Sequence, residues 1–201
     1  MAIVKKFKDL EMEVLSKLNI PYAGLQWCEL GNQDQDGKPA KYIYEAAGVN
    51  HTSIDLNGRD GALALDLGNV LPSELHNKFD VITNYGTIEH VNDQYGCYAN
   101  VHRIAKVGCI MIHGAPFINN WDNHCRYHYE TNFFSQLAAL CKYDVIRIEV
   151  LNKEFFTAPR SLVYSVFRKR ADSVFIGADV FNKIPIRDSK DMRFVQNYDR
   201  R

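Results

Sequence analysis

Short apolar runs, each closing on an acid, an asparagine or a small polar turn, alternate along most of the chain with segments whose apolar residues recur at helical spacing. A strand asks for apolar residues at every second position, or without interruption when both faces are covered, whereas a surface helix asks for them at every third or fourth. Repeated switching between the two periods predicts an α/β layer fold, a mostly parallel sheet with helices on both faces. The strand-like runs are residues 24–30 (GLQWCEL), 51–56 (HTSIDL), 62–67 (ALALDL), 79–84 (FDVITN), 109–113 (CIMIH), 143–150 and 160–167. They make about seven strands, and the alternation of the last two suits an antiparallel pair, so the last strand is expected to run against the others. Helices are expected over 5–18, 40–47, 95–105 and 131–141. The first carries Val4, Phe7, Leu10, Met12, Val14, Leu15 and Leu18 largely on one stripe and is stopped by Pro21. Beyond Arg168 the period fades apart from an apolar patch at residues 174–176, which predicts no regular structure there. The expected organisation is one domain over 1–170 with its N-terminal helix, followed by a polar tail over 171–201.

Charge and cysteine content narrow the classes of partner. Lys and Arg together number 24, as do Asp and Glu, so there is no electrostatic footprint for nucleic acid or an anionic membrane, and a small molecule is the natural partner. No apolar run approaches the roughly 20 residues that span a bilayer, and the first residues lack the apolar core of a secretory signal, so a cytoplasmic protein is expected. The five cysteines are odd in number and contain no C-x-x-C, which favours buried free thiols over disulfides or a zinc site. Oligomeric state cannot be read.

In an open parallel sheet the ligand lies beyond the C-terminal strand ends, where strand order reverses. The strand ends here are Glu29-Leu30-Gly31, Asp55, Asp66, Asn84-Tyr85-Gly86 and His113-Gly114-Ala115-Pro116. At these residues the chain resembles the class I S-adenosylmethionine-dependent methyltransferases. CELG at 28–31 matches their acid-x-Gly, SIDL at 53–56 the acid closing strand two, and ALALDL the Asp-Leu after strand three. FDVITNYGTIEHV at 79–91 is similar to their most specific stretch, and VHRIAKVGCIMIHGAP at 101–116 to the segment that follows it. The resemblance covers about residues 24–167 and implies a seven-stranded, Rossmann-like methyltransferase fold, S-adenosylmethionine as cofactor, and methyl transfer to oxygen or nitrogen of a small acceptor, such as a sugar. It further implies that Glu29, Gly31, Asn32, Gln33, Asp55, Asp66, Leu67, Asn84, Tyr85 and Gly86 hold the cofactor. Within that set Asp55 suits the ribose hydroxyls, Asp66 the adenine amine and Glu29 the ammonium end, because carboxylates accept from each of these donors.

Two departures stand out. The alternate glycines usual after Gly31 are Gln33 and Gln35, which motivates a second reading, a binding or interaction module that keeps the fold without catalysis. Only residues 57–61 separate the second and third strands, too few for the crossover of a dozen or more that parallel neighbours need, so 62–67 is expected to form a hairpin or to pair barely at the edge. A nicotinamide oxidoreductase is disfavoured because G-x-G-x-x-G is missing after the first strand.

Methyl transfer to a hydroxyl needs a base, and His113 and His90 are expected to supply it from the strand ends, with a pKa near the ordinary value of about 6.5 for His113. His124 and His128 fall in an aromatic stretch, 119–129, where Trp121, Tyr127 and Tyr129 suggest an acceptor wall or lid. Glu89, His90 and His113, with His124, are ligand types that suit zinc or manganese, but the sequence alone assigns no metal.

Overall fold

The structure, a computed structural model, describes residues 5–35, 37–119, 121, 124–152 and 160–189. Helix α1 (Lys5–Lys17) buries Phe7, Leu10, Val14 and Leu15, while Met12, expected on the same stripe, turns outward. Strand β1 (Gln26–Leu30) leads through the two-residue strands β2 (Asp34–Gln35) and β3 (Lys38–Pro39) into α2 (Ala40–Ala46) and β4 (Asn50–Ile54). The second half comprises β5 (Phe79–Tyr85), α3 (Gln94–Ile104), β6 (Ala105–Pro116), β7 (Tyr127–His128), α4 (Thr131–Cys141), β8 (Asp144–Leu151) and β9 (Leu162–Arg168). It closes with α5 (Ala178–Phe181) and β10 (Arg187–Asp188). Helix α3 begins where the Asp93 carboxylate accepts from the Gly96 N–H, and α4 ends on Lys142 in the left-handed region at φ 56°.

The main sheet has the order β4-β1-β5-β6-β9-β8. The first four strands are mutually parallel, and β9 runs antiparallel to both β6 and β8. This is the expected mostly parallel sheet with an antiparallel last strand, but it has six strands rather than seven. The expected third strand, 62–67, is reduced to one parallel bridge, Ile54 to Leu63, held by the Asp55 N–H on the Leu63 carbonyl and the Leu63 N–H on that of Ser53. The intervening turn, Arg59–Gly61, is too short to carry a crossover helix, so the chain touches the edge of β4 and leaves it.

Each face of the sheet carries its own core. Alternation along the strands sends Trp27, Val81, Ile110 and Ile112 toward α1 and α2, and Cys28, Ile82 and Met111 toward α3 and α4. All five cysteines are buried and free, as expected. The segment after Arg168, expected to lack regular structure, instead closes over the second face. Phe175, Phe181 and Ile184 are buried, the Ser173 carbonyl lies 2.6 Å from His102 Nε2, and β10 pairs with β7. Its helix is a single turn and its apolar residues follow no period, so what orders it is contact with α3 and α4 rather than local preference. Among the described residues no helix is long and apolar enough to cross a membrane.

Candidate active site

After β1 the chain crosses to β4 on one side and then returns to β5 on the other, so strand order reverses between β1 and β5. The crevice beyond their C-terminal ends is therefore where a ligand of this fold belongs. Glu29, one residue before the end of β1, is almost fully buried; its Oε2 lies 3.5 Å from His51 Nε2 and accepts from the Gln33 N–H at 3.4 Å. Burial raises its pKa, an effect His51 opposes, and Oε1 meets no hydrogen-bond donor among the described residues. Gly31 follows at φ +86°, a conformation that favours glycine. The space beside its Cα is taken: a Cβ there would run into Thr87 Oγ1 and Gln33 Nε2. Those two groups bond each other at 3.2 Å, and Thr87 also donates to the Leu30 carbonyl.

Asn84 ends the same crevice from β5. Its Oδ1 accepts from the N–H groups of Thr87 and Ile88, which holds the turn after the strand, while the buried Nδ2 has no acceptor among the described residues. Asp55, beyond β4, accepts from the Asn32 N–H at 2.8 Å and the Asn57 N–H at 2.9 Å, and Asn32 donates to Asp60 across the same loop. Glu29, Gly31, Asn32, Gln33, Asp55 and Asn84 thus share one rim or connect to it, and Gly86 follows β5 at φ +82° with its N–H on the Gly114 carbonyl. The remaining expected residues make other contacts. Asp66 is exposed and closes its own turn on the Gly68 N–H and Asn69 Nδ2. Leu67 is buried in the core, with its carbonyl taken by Asn100. Tyr85 points to the opposite face, where its hydroxyl donates to Glu11.

The histidines divide sharply. His113 was expected at the mouth with an ordinary pKa; it is instead enclosed among Tyr98, Phe134 and Phe167, with ring centroids 5.8 to 6.1 Å away. The alternation of β6 points it under α4, and burial pushes its pKa down to about 3, so it is neutral but weakly basic. His90 lies on the turn Ile88–His90 just past β5, and His124 comes to meet it with ring centroids 5.2 Å apart. Burial lowers His90 to about 3 and His124 to about 4. Glu89 joins them: one ligand atom from each of Glu89, His90 and His124 falls within a 4.8 Å set. The Glu-His pair therefore gathers His124 and not His113. In the aromatic stretch, residues 120, 122 and 123 lie outside the described residues, and Trp121, Tyr127 and Tyr129 are buried and donate to the Ser161 carbonyl, the Asn92 carbonyl and Gln94 Oε1.

Two residues at the rim or beneath it escaped the sequence reading. Thr87 was hidden inside a motif read for its Glu-His pair. Glu11 had a visible signal, an acid four residues after Phe7 and therefore on the apolar stripe of α1.

A scan against protein-family models matches none, and a search of curated proteins finds no match. Solved structures do match. The structure of 1,6-didemethyltoxoflavin-N1-methyltransferase from Burkholderia thailandensis, bound to 1,6-didemethyltoxoflavin and S-adenosylhomocysteine, has a TM-score of 0.61 at 10% identity, over 79% of this chain and 76% of that one. The [4+2]-cyclase SpnF gives 0.59 at 12%, over 82% and 81%, and an S-adenosylmethionine-dependent methyltransferase from Mesorhizobium loti gives 0.54 at 16%, over 79% and 97%. At these identities the likeness concerns the fold: this chain has the α/β fold of the class I S-adenosylmethionine-dependent methyltransferases.

Proposed function

We propose that this chain is an S-adenosylmethionine-dependent methyltransferase that modifies oxygen or nitrogen of a small molecule. The reading is carried by one observation: at the switch point of a methyltransferase fold, Glu29 Oε1, Gln33 Oε1 and Asn84 Nδ2 are buried beside the Gly31 turn without hydrogen-bond partners among the described residues. Two acceptors and one donor left unsatisfied in a crevice call for a ligand with the opposite groups, and the ammonium and carboxylate of an amino-acid tail are such groups. The residues fit the cofactor on one condition, that the Gln33 amide and the Thr87 hydroxyl turn away from Gly31. Asp55 retains lone pairs beyond the two backbone donors it already accepts, enough for ribose hydroxyls. Asp66 is assigned to the adenine amine on the family resemblance alone.

The cofactor supplies a methyl group activated on a sulfonium; the protein's part is to orient it and the acceptor. Glu29 and Asn84 hold the tail, and Asp55 holds the ribose. Of the two histidines expected to act as base, His90 lies on the turn past β5 and His113 is enclosed under α4, and burial lowers both to about 3. The balanced charge and a neighbour solved with 1,6-didemethyltoxoflavin support a small acceptor, and the absence of a basic surplus argues against nucleic acid. The balanced composition likewise gives no membrane anchor by charge, in keeping with a cytoplasmic site of action.

Asp55→Ala is expected to weaken S-adenosylmethionine binding by about 1.5–3 kcal/mol, the range for losing a charged hydrogen-bond partner. Calorimetric titration of folded variant and parent checks it, and an unchanged affinity overturns the ribose assignment. A second reading, a ligand-binding module without methyl transfer, is favoured by Gln33 and Thr87 closing the glycine cradle. Cofactor binding together with turnover of labelled methyl supports the enzyme; binding without turnover across acceptor classes supports the module.

A further inference from the structure

Glu89, His90 and His124 come together from two distant stretches of chain. The first two sit on the turn Ile88–His90, which Asn84 pins by accepting the N–H groups of Thr87 and Ile88. His124 arrives from the connection before β7, its own N–H on the Trp121 carbonyl. One ligand atom of each lies within 4.8 Å of the others. The Glu89 carboxylate is wholly buried, and neither oxygen accepts a hydrogen bond from another described residue. His124 Nε2 is also buried with no partner among the described residues. A buried carboxylate that accepts from no other residue is costly, and side chains are held in that arrangement when something else completes them. Two imidazole nitrogens and one carboxylate oxygen are a donor set for a transition-metal dication, and three protein ligands leave a coordination position open.

We propose that Glu89, His90 and His124 form a zinc-type divalent metal site beyond the C-terminal end of β5. The open position takes water or an oxygen of a bound small molecule. Placing that small molecule as the methyl acceptor rests on the methyltransferase reading; the metal site itself does not. Magnesium is a poor match, because it prefers oxygen ligands in octahedral geometry.

Full-length protein stripped with a chelator would be titrated calorimetrically with zinc chloride and, separately, magnesium chloride. Glu89→Gln and His124→Asn would be compared with His76→Asn, a change at an exposed histidine outside the cluster. One zinc per chain is expected in the parent and in His76→Asn, with affinity falling on the order of a hundredfold or more in each ligand variant and no magnesium uptake at the same concentrations. Cobalt(II) loading of the parent should give ligand-field bands of a nitrogen and oxygen set without a thiolate charge-transfer band. The site is overturned if the parent takes up no zinc, if both ligand variants bind zinc as the parent does, or if cobalt reports thiolate ligation by the buried cysteines. Circular dichroism identifies a variant that fails to fold; the cobalt spectrum of the parent and the other variant then decide. Cofactor titration of the same samples is a separate readout. Cofactor binding without zinc uptake overturns the metal site alone, whereas zinc uptake without cofactor binding overturns the methyltransferase reading alone.

Discussion

Glu11→Ala is expected to destabilise the protein by about 3–5 kcal/mol, the cost of removing one partner from a buried charged network. Glu11 is fully buried on the sheet-facing side of α1. Its carboxylate accepts from the hydroxyls of Tyr22 at 2.9 Å, Tyr44 at 2.8 Å and Tyr85 at 3.1 Å, and pairs with Lys8 at 3.2 Å. Lys8 in turn lies 3.5 Å from the centroid of the Tyr44 ring. Burial, and then the Glu11 charge, hold the phenols of Tyr44 and Tyr85 well above their ordinary range, so these groups remain donors. One carboxylate thus ties α1 to α2 and to the end of β5, the strand whose next turn carries the candidate site. Alanine would leave the buried hydroxyls of Tyr44 and Tyr85, the half-buried hydroxyl of Tyr22 and an ammonium without their acceptor. Glu11→Gln, which keeps one acceptor oxygen, should lose less. Urea unfolding of the three proteins measures this, and a loss in Glu11→Ala below about 1 kcal/mol, the worth of one ordinary hydrogen bond, contradicts it.

Acid should destabilise the fold through His113. In the unfolded chain this ring takes up a proton below its ordinary pKa of 6.5, whereas burial holds the folded form neutral down to about 3. The unfolded state therefore binds more protons in that window. The stabilisation is complete above the unfolded value and drains away as pH falls from 6.5 toward 3. At pH 5 the loss is about 2 kcal/mol, at 1.36 kcal/mol for each pH unit below the unfolded value. His113→Phe places a ring that cannot titrate among Tyr98, Phe134 and Phe167. The stability difference between parent and variant should shift by about 2 kcal/mol between pH 7.5 and pH 5, against the parent, in denaturant unfolding at the two values. Parallel pH dependences would mean that the folded ring titrates normally. That outcome would also restore His113 as a base candidate, with turnover rising through the ordinary histidine range.

The order of elements was legible because each depends on a short-range pattern. Helix α4 spans 131–141 as expected, and α3 lies within a residue of its expected ends, since the apolar stripe and the capping residues are local. The strand ends were legible for the same reason, and they placed Glu29, Gly31 and Asn84 at one crevice once the topology put β1 beside β5. What the sequence could not determine was every feature set by residues far apart along the chain. The edge strand failed because pairing needs a partner at the right distance, and a five-residue link delivers Leu63 but not its neighbours to β4. The final segment, featureless by period, is ordered by the aromatic face of α3 and α4 that receives Phe175 and Phe181. His113 and His124 show the same division at the site. A strand-end position says that a residue is near the mouth, but the pleat decides which face it enters, and α4 covers the face that His113 takes. The sequence by itself determined the layered α/β architecture and the residues offered at the strand ends, since period and turn chemistry act over a few positions. Only the tertiary structure decided which histidine meets Glu89, because that meeting depends on a contact between segments more than thirty residues apart.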